Sequence, residues 1–352
     1  MRVAVDARLL FGAFTGDSSY WKGLHHGLAQ VESPLEVLSC FRGSVPSTFK
    51  GTGIGINART GRWFSLVAWP LWCRRNGINV AHTQYNVSPL LGPRAVTTIH
   101  DVSFLIGPEW FRPRDRALLQ RGVPASVARA GAVITVSETS KGEIEHHIPA
   151  ARGKTHVTYN ALDPDFDPPK RTEAAQLLER DLGLSGPFLL TVGTRWPRKN
   201  LKLAVEATRG IGIPLVIAGK FGWGDEAKEP HVVLPGYVSA ELLQALYAAA
   251  KVYLAPSLHE GFGIPLLESW AAETPVICGS GGALPEVAGD AALVLSTYDP
   301  VDWHRELRGL LADSGKVERM RVAGKERLKR FSWKETARKT LEIYELVGQS
   351  RP

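Results

Sequence analysis

The chain has 352 residues, 44% apolar and 22% charged, an ordinary globular composition that excludes a disordered or collagen-like chain. At this length two domains are expected, because single cores stop growing at about 250–300 residues. The net charge of +7 suits polyanionic ligands, acidic membranes or plain solubility, without choosing among them.

The chain opens MRVAVDARLL, with Asp6 inside the apolar run and no cleavage pattern, so it reads as a first β-strand and not as a signal peptide. No uninterrupted apolar stretch reaches the ~18 residues of a membrane span. Cys40, Cys73 and Cys278 are far apart and odd in number, so neither a zinc site nor a disulfide framework is expected. A reducing cytoplasm is the expected compartment.

Short apolar runs follow one another along the chain. In the first half they are Val3–Asp6, Val80–Thr83, Ala95–Ile99, Ala132–Val136 and Thr155–Val157. In the second half they are Phe188–Val192, Leu215–Ala218, Val252–Leu254, Val276–Cys278 and Ala292–Leu295. Helical patterns lie between them at Tyr20–Gln30, Pro124–Arg129, Ala240–Ala249 and Pro265–Ala272. Such alternation predicts parallel sheets built from βαβ units. The Pro- and Asp-rich stretch from Asn160 to Pro169 reads as the linker between two halves. Each half is expected to bind ligand at the carboxyl ends of its strands.

Residues 63–73 are unusually aromatic. They suit a buried helix or loop against the first sheet, with a membrane-contacting face as the alternative. The basic stretch Lys316–Arg330 reads as a solvated helical face.

The sharpest segment is PSLHEGFGIPLLE, Pro256 to Glu268, which follows the strand Val252–Leu254. Pro265 fits a first helical turn, where its missing N–H costs nothing. Glu260 is therefore expected in the loop before the helix and Glu268 in its first turns. Gly261 and Gly263 let backbone approach a ligand, and a helix N-terminus faces the same place. Two carboxylates beside a diphosphate need another partner, and sugar hydroxyls are the obvious one. A cation source appears after the strand Phe188–Val192, in GTRWPRKN, Gly193 to Asn200. Its three cations and the helix that follows suit a leaving diphosphate.

At this point the chain resembles the retaining GT-B glycosyltransferases whose signature is Glu-x7-Glu, glycosyltransferase family 4 or group 1, and among them the mannosyltransferases. The resemblance covers nearly the whole chain. It runs through VDARLL with Thr15-Gly16 and Tyr20, His100-Asp101-Val-Ser-Phe, Pro108-Glu-Trp and Ile134-Thr-Val-Ser. It continues through GTRWPRKN, Ala218-Gly-Lys, Gly236-Tyr-Val-Ser, the Glu260–Glu268 segment and Pro275-Val. It ends with Leu284-Pro-Glu-Val, Gly289-Asp-Ala-Ala and Phe331-Ser-Trp.

The resemblance implies an α/β protein with two Rossmann-like doubly wound domains facing a central cleft. The acceptor-binding domain would span 1–165 and the nucleotide-sugar domain 166–330, with the helix of 331–352 crossing back to the first. Glu260 would bind hydroxyls of the transferred sugar and Glu268 the ribose. Lys199 with Arg195 or Arg198 would hold the diphosphate, Arg198 being preferred. Gly236 and Tyr237 would meet the base, and Gly261, Phe262 and Gly263 the sugar or phosphate. His100 would face the reacting sugar, Gly16 would sit near phosphate or acceptor, and Ser18, Tyr20 and Asp101 would touch the acceptor. The catalytic set is then His100, Lys199 and Glu260, with no metal and no cofactor. The donor would be a nucleotide-sugar, GDP-mannose before UDP-glucose or a deoxysugar nucleotide. The acceptor would be a glycan, a lipid-linked glycan or a small molecule. The setting would be cytoplasmic, with a peripheral contact at the inner face of the membrane, and no nucleic-acid partner.

The chain departs from its relatives in two loops. Ser18 stands where they carry a second glycine after Gly16, and Asp17 adds negative charge there. Thr194 stands where many carry the arginine of the phosphate loop. Three patterns have plainer readings. His100 could simply end a strand. Asp163-Pro-Asp165-Phe-Asp167 reads as turn chemistry before it reads as a metal motif. Gly53-Ile-Gly55-Ile-Asn-Ala58 resembles a dinucleotide fingerprint but reads as loop, for want of a preceding strand. A nucleotide-sugar epimerase or phosphorylase and an inactive binding module remain as rivals.

Overall fold

The computed structural model describes residues 1–11, 16–220, 222 and 229–349, with backbone alone for Gly16 and Asp17. Thr15, one of the motif residues, lies outside the described residues. The chain divides into two compact units, Met1–Asp163 with Ser332–Pro352, and Pro164–Phe331.

The strands of unit one are β1 Arg2–Asp6, β2 Glu36–Arg42, β3 Gly53–Ile56, β4 Val80–Gln84, β5 Ala95–Thr98, β6 Ala132–Thr135 and β7 Thr155–Val157. They form one parallel sheet in the order β3-β2-β1-β4-β5-β6-β7. Unit two contains β8 Leu189–Val192, β9 Leu215–Ala218, β10 Val232–Gly236, β11 Val252–Ala255, β12 Val276–Gly279 and β13 Leu293–Leu295. They form a second parallel sheet in the order β10-β9-β8-β11-β12-β13. Central parallel strands have both faces covered, which is why these segments read as unbroken apolar runs.

Strand order reverses between β1 and β4 in unit one and between β8 and β11 in unit two. Each reversal leaves a crevice at the carboxyl ends of its two strands, the place where open α/β sheets bind ligands.

Three strands, β2, β3 and β10, escaped the sequence reading. β3 and β10 are sheet edges. Edge strands tolerate the Pro235 of β10, whose missing N–H needs no ladder partner there. The Gly53–Ala58 loop expectation is corrected, because Gly53–Ile56 is β3 and β2 precedes it. Its glycines answer packing: a Cβ at Gly53 would meet Val45 Cγ1 at 2.5 Å, and one at Gly55 would meet Gly43 O at 2.4 Å. The helix expected at Pro124–Arg129 begins at Pro113. Its first two turns are largely exposed, so no apolar stripe marks them.

The helix Gly16–Leu28 packs against the helix Trp333–Gln349 in unit one. Contact is close because the facing positions are glycines. A Cβ at Gly23 would sit 1.9 Å from the Trp333 ring, and one at Gly27 2.0 Å from Trp333 O. Leu341, Ile343, Tyr344 and Val347 then cover β1, β4, β5 and β6 through Val3, Val80, Val96 and Ile134. The three cysteines are free and buried. Phe64, Trp69 and Cys73 of the aromatic segment are core, whereas Trp63 and Leu66 are exposed. The basic helix Ser314–Leu328 and its flank carry ion pairs Arg321–Glu318, Lys325–Glu273 and Lys329–Glu326. Among the described residues no helix is long and apolar enough to cross a membrane.

Candidate active site

In unit two the crevice is built by the segments that follow β8 and β11. Gly193 leaves β8 with φ +145°, and a Cβ there would meet Lys199 Cε at 3.1 Å. Glycine therefore supplies both the backbone angle and the room for the lysine stem. Pro197–Lys199 makes a single 3₁₀ turn that ends in left-handed Asn200, and the helix Leu201–Thr208 follows. Leu258 N donates to Arg198 O at 2.8 Å, tying this turn to the loop after β11.

Glu260 lies in that second loop. Its Oε1 accepts from Lys199 Nζ at 2.6 Å and from Ser257 Oγ at 2.6 Å, and its Oε2 accepts from Arg198 Nη1 at 2.9 Å. Arg198 Nη1 also donates to His259 O. The side chains are nearly enclosed, with 13% of Glu260, 13% of Arg198 and 17% of Lys199 exposed. Burial pushes the Glu260 carboxyl up, but Lys199 and Arg198, with hydrogen bonds from Lys199 and Ser257, hold it far below the usual carboxylate range. Its backbone is pinned by a bridge to Gly282 and by Ala283 N, which donates to Glu260 O at 2.8 Å.

Gly263, at φ +100°, starts the helix Ile264–Ala271, and Pro265 sits in its first turn. Gly261, Phe262 and Gly263 are buried, and the Phe262 ring meets Phe331 edge-on at 5.3 Å. Glu268, half-buried on this helix, accepts from Tyr247 Oη at 2.6 Å. Burial, with Glu268 next, pushes the Tyr247 hydroxyl well up, so it stays a donor. Gly236 ends β10 at φ +76°, and Gly219 N donates to its carbonyl at 2.8 Å. Tyr237 is exposed, with Lys220 Nζ 4.8 Å from its ring centroid.

Neither loop arginine is solvated, although a basic loop before a helix suggests it. Arg195 is 4% exposed and Arg198 is ion-paired. The structure thus gathers Arg198, Lys199 and Glu260, and puts Arg195 into the interior instead.

In unit one, His100 follows β5. Its Nε2 lies 3.1 Å from Gln84 Nε2, and its ring meets Tyr20 edge-on at 5.1 Å and Tyr85 at 5.9 Å. Tyr85 holds a left-handed backbone at φ +56°, an uncommon angle for a bulky residue. Tyr20 is fully buried beneath His100, its Oη accepts from Thr98 Oγ1 at 3.1 Å, and burial pushes its hydroxyl up to about 12. Asp101 Oδ1 accepts from Ser103 N at 2.9 Å and from Ser103 Oγ at 2.6 Å, and Ser18 is buried. Gly16 is the first residue of the helix Gly16–Leu28.

The Asp163–Asp167 cluster does not converge. Asp163 Oδ1 accepts from Lys22 Nζ at 2.6 Å, and Asp165 O and Asp167 N each bond Gln244 at 3.2 Å. Among the described residues no group of three or more His, Cys, Asp or Glu could hold a metal ion. Sequence reasoning missed Ser257, Tyr247 and Gln84. Ser257 sits three residues before Glu260 in the same strand-end loop, the one signal that could have found it.

Residues 179–327 match the family Glycosyl transferases group 1, and residues 37–166 match Glycosyltransferase Family 4. The O-antigen chain mannosyltransferase B of Escherichia coli is 32% identical over 271 residues, covering 72% of this chain and 71% of that protein. The serotype-specific mannosyltransferase WbdA of Escherichia coli is 24% identical over 279 residues, 73% of this chain, which spans about 34% of WbdA. Among solved structures, sucrose-phosphate synthase of Thermosynechococcus elongatus superposes with a TM-score of 0.75 at 19% identity, covering 100% of both chains. That likeness bears on the fold alone, and the fold is GT-B.

Proposed function

The chain belongs to the glycosyl transferases of group 1, GT-B enzymes that move a sugar from a nucleoside diphosphate to an acceptor, and from that premise we propose that it transfers mannose from GDP-mannose with retention of configuration. The acceptor is a hydroxyl of a growing glycan, free or lipid-linked. The similarity to mannosyltransferases supports mannose.

The observation that carries the reading is the cluster of Lys199, Arg198 and Glu260 at the strand-order reversal of unit two. Diphosphate leaves with growing negative charge, and two cations aimed at it stabilise that charge more in the transition state than in the ground state. Without donor, Glu260 supplies the counter-charge to the same two cations. With donor, the diphosphate takes over part of that role, and the carboxylate is free to accept hydroxyls of the transferred sugar. Glu268, oriented by Tyr247, accepts the ribose hydroxyls. Backbone at Gly236 and Tyr237 meets the base, and Gly261–Gly263 the sugar or phosphate. His100 contacts the transferred sugar, with Gln84 fixing its ring. Gly16 serves phosphate or acceptor, and Ser18 and Asp101 the acceptor, with Tyr20 acting from beneath His100.

In the reaction, the bond from the anomeric carbon to the leaving phosphate oxygen breaks. The acceptor oxygen forms its bond on the same face, through an oxocarbenium-like state. The acceptor proton passes to the departing phosphate, so no separate base is required. Incubation with GDP-mannose and a mannose-terminated oligosaccharide tests the reading. The expected product is an α-mannoside from the α-linked donor, by anomeric NMR couplings. A β-mannoside excludes retention, transfer from UDP-glucose alone excludes the donor assignment, and free sugar formed equally without acceptor excludes transfer.

A further inference from the structure

A second feature lies in unit one, and none of its lining residues is assigned a part in the reaction. A groove of about 810 Å³ runs between the segment of residues 61–68 and the helix Pro113–Arg129. Arg62, Arg114, Arg121 and Arg129 line it, together with Leu66 and Leu118. None of its lining residues is acidic, and Asp115 of the same helix does not line it. Among the described residues none of the four arginines makes an ion pair, in contrast to the basic helix Ser314–Leu328.

The spacing is regular. Arg114, Leu118, Arg121, Ala125 and Arg129 recur every three or four residues and share one helical face. Arg62 and Leu66 repeat the same pairing across the groove, four residues apart. Its two leucines are open to solvent, Leu118 at 59% and Leu66 at 38%, as is Trp63, next to Arg62 in the chain, at 52%. Cations alternating with an exposed Leu on one helix, faced by Arg62, Trp63 and Leu66 of the other wall, form the pattern of an interfacial element, which sets apolar groups below the headgroups and arginines among them.

We propose that this groove face docks on a bilayer surface rich in anionic phospholipid. Length selects this occupant. Arg114 and Arg129 stand about 22 Å apart along the helix, too far for one phosphate to reach both, so the matching anion is a repeated one. A soluble polyanion is also repeated, but it offers nothing to exposed Leu118, Leu66 and Trp63. The docking deepens the reading of a glycan-building transferase by giving it a membrane side, and it rests on that reading only for its biological sense.

The experiment is cosedimentation of the full chain with vesicles of phosphatidylglycerol and phosphatidylcholine, and with pure phosphatidylcholine, alongside sugar transfer to a soluble acceptor. Binding is expected on the anionic vesicles and not on the neutral ones, and it is expected to weaken as salt rises. Arg114→Ser with Arg121→Ser should lower the partition about 25-fold, roughly fivefold for each basic residue near the surface. Trp63→Ser with Leu118→Ser should lower it again at unchanged charge. Both double variants should keep wild-type transfer. Vesicle binding unchanged by the arginine pair overturns the proposal. So does equal binding to neutral vesicles, or binding to inorganic polyphosphate that is as tight as to vesicles and indifferent to Trp63 and Leu118. If the wild type docks but transfers no sugar, the proposed reaction fails and the docking stands.

Discussion

Lys199 Nζ and Glu260 Oε1 lie 2.6 Å apart, at the ends of two neighbouring strands of one sheet. The contact joins the basic loop and the Glu-x7-Glu segment, 61 residues apart in sequence, into a single electrostatic unit. Arg198 completes it from the other carboxylate oxygen.

On the proposed role of Lys199 toward the leaving diphosphate, Lys199→Ala should lower turnover about 10²–10³-fold while the donor Michaelis constant moves less. Arg198→Ala should approach that defect. Arg195→Ala empties an interior position, so it should lower the melting temperature more than the other two. Steady-state kinetics and thermal melts on the three variants check this. Full turnover in Lys199→Ala would remove the diphosphate assignment.

The two carboxylates should separate by calorimetry. Glu268→Ala should weaken nucleoside diphosphate binding by about 1.5–3 kcal/mol, the range for a hydrogen bond to a charged group. Glu260→Gln should leave that binding unchanged or tighter, since it frees two cations from an internal competitor, yet it should damage transfer. Equal losses of affinity in both variants would show that the two ends of the donor are misassigned.

Acid should act on the two units differently. In unit one, burial, followed by the nearby His25 and His100, pushes the His82 imidazole down to about 3. The ring is neutral when folded, with Nδ1 2.6 Å from Tyr344 Oη and Nε2 2.8 Å from Thr98 Oγ1. The unfolded chain binds the proton near 6.5, so stability falls as pH drops from about 6.5 towards 3, by up to about 1.4 kcal/mol per pH unit. His82→Gln should flatten that slope. For Glu260 the folded pKa is depressed, so its contribution is present above the ordinary carboxylate range near 4.3 and is lost below it. The stability gap between wild type and Glu260→Gln should therefore shrink with acid. A gap that widens below pH 4 contradicts the ion-pair assignment.

Two glycines test the helix packing of unit one. Gly27→Ala forces a Cβ to within 2.0 Å of the Trp333 carbonyl, and should cost about 1–3 kcal/mol as an overpacking change. Gly142 sits in the helix Glu138–His147 with open space around its Cβ position. Gly142→Ala should stabilise by about 0.5–1 kcal/mol. Urea unfolding of both variants gives the two signs directly.

On the proposed assignment of the diphosphate to Lys199 and Arg198, two side-chain cations neutralise it and transfer should survive EDTA. Loss of activity restored by Mg²⁺ or Mn²⁺ would return attention to the Asp163–Asp167 turn.

Much of this was legible in the chain. Most central strands showed themselves because burial on both faces demands unbroken apolar runs; β2, also interior, did not, its short apolar run being broken by Ser39 and bounded by Glu36 and Arg42. β3 and β10 did not, since an edge strand is half covered and tolerates Gly and Pro. Glu260 and Glu268 could be placed on their loop and helix because Gly263 and Pro265 mark that helix start within a few residues. Ser257 and Tyr247 carried no such local mark.

What the sequence determined by itself was local: strand and helix type, the glycines at strand ends, and the charges on two loops. These follow from backbone angles and side-chain chemistry within a few residues. Tertiary structure decided which charges meet. Arg195 and Arg198 are three residues apart in one basic loop, yet one turns into the interior and the other onto Glu260. That choice depends on β8 lying beside β11, a pairing set by strand order across some sixty residues of chain. The arginine groove has the same origin, because its two walls lie about fifty residues apart and meet only when the sheet beneath them has formed.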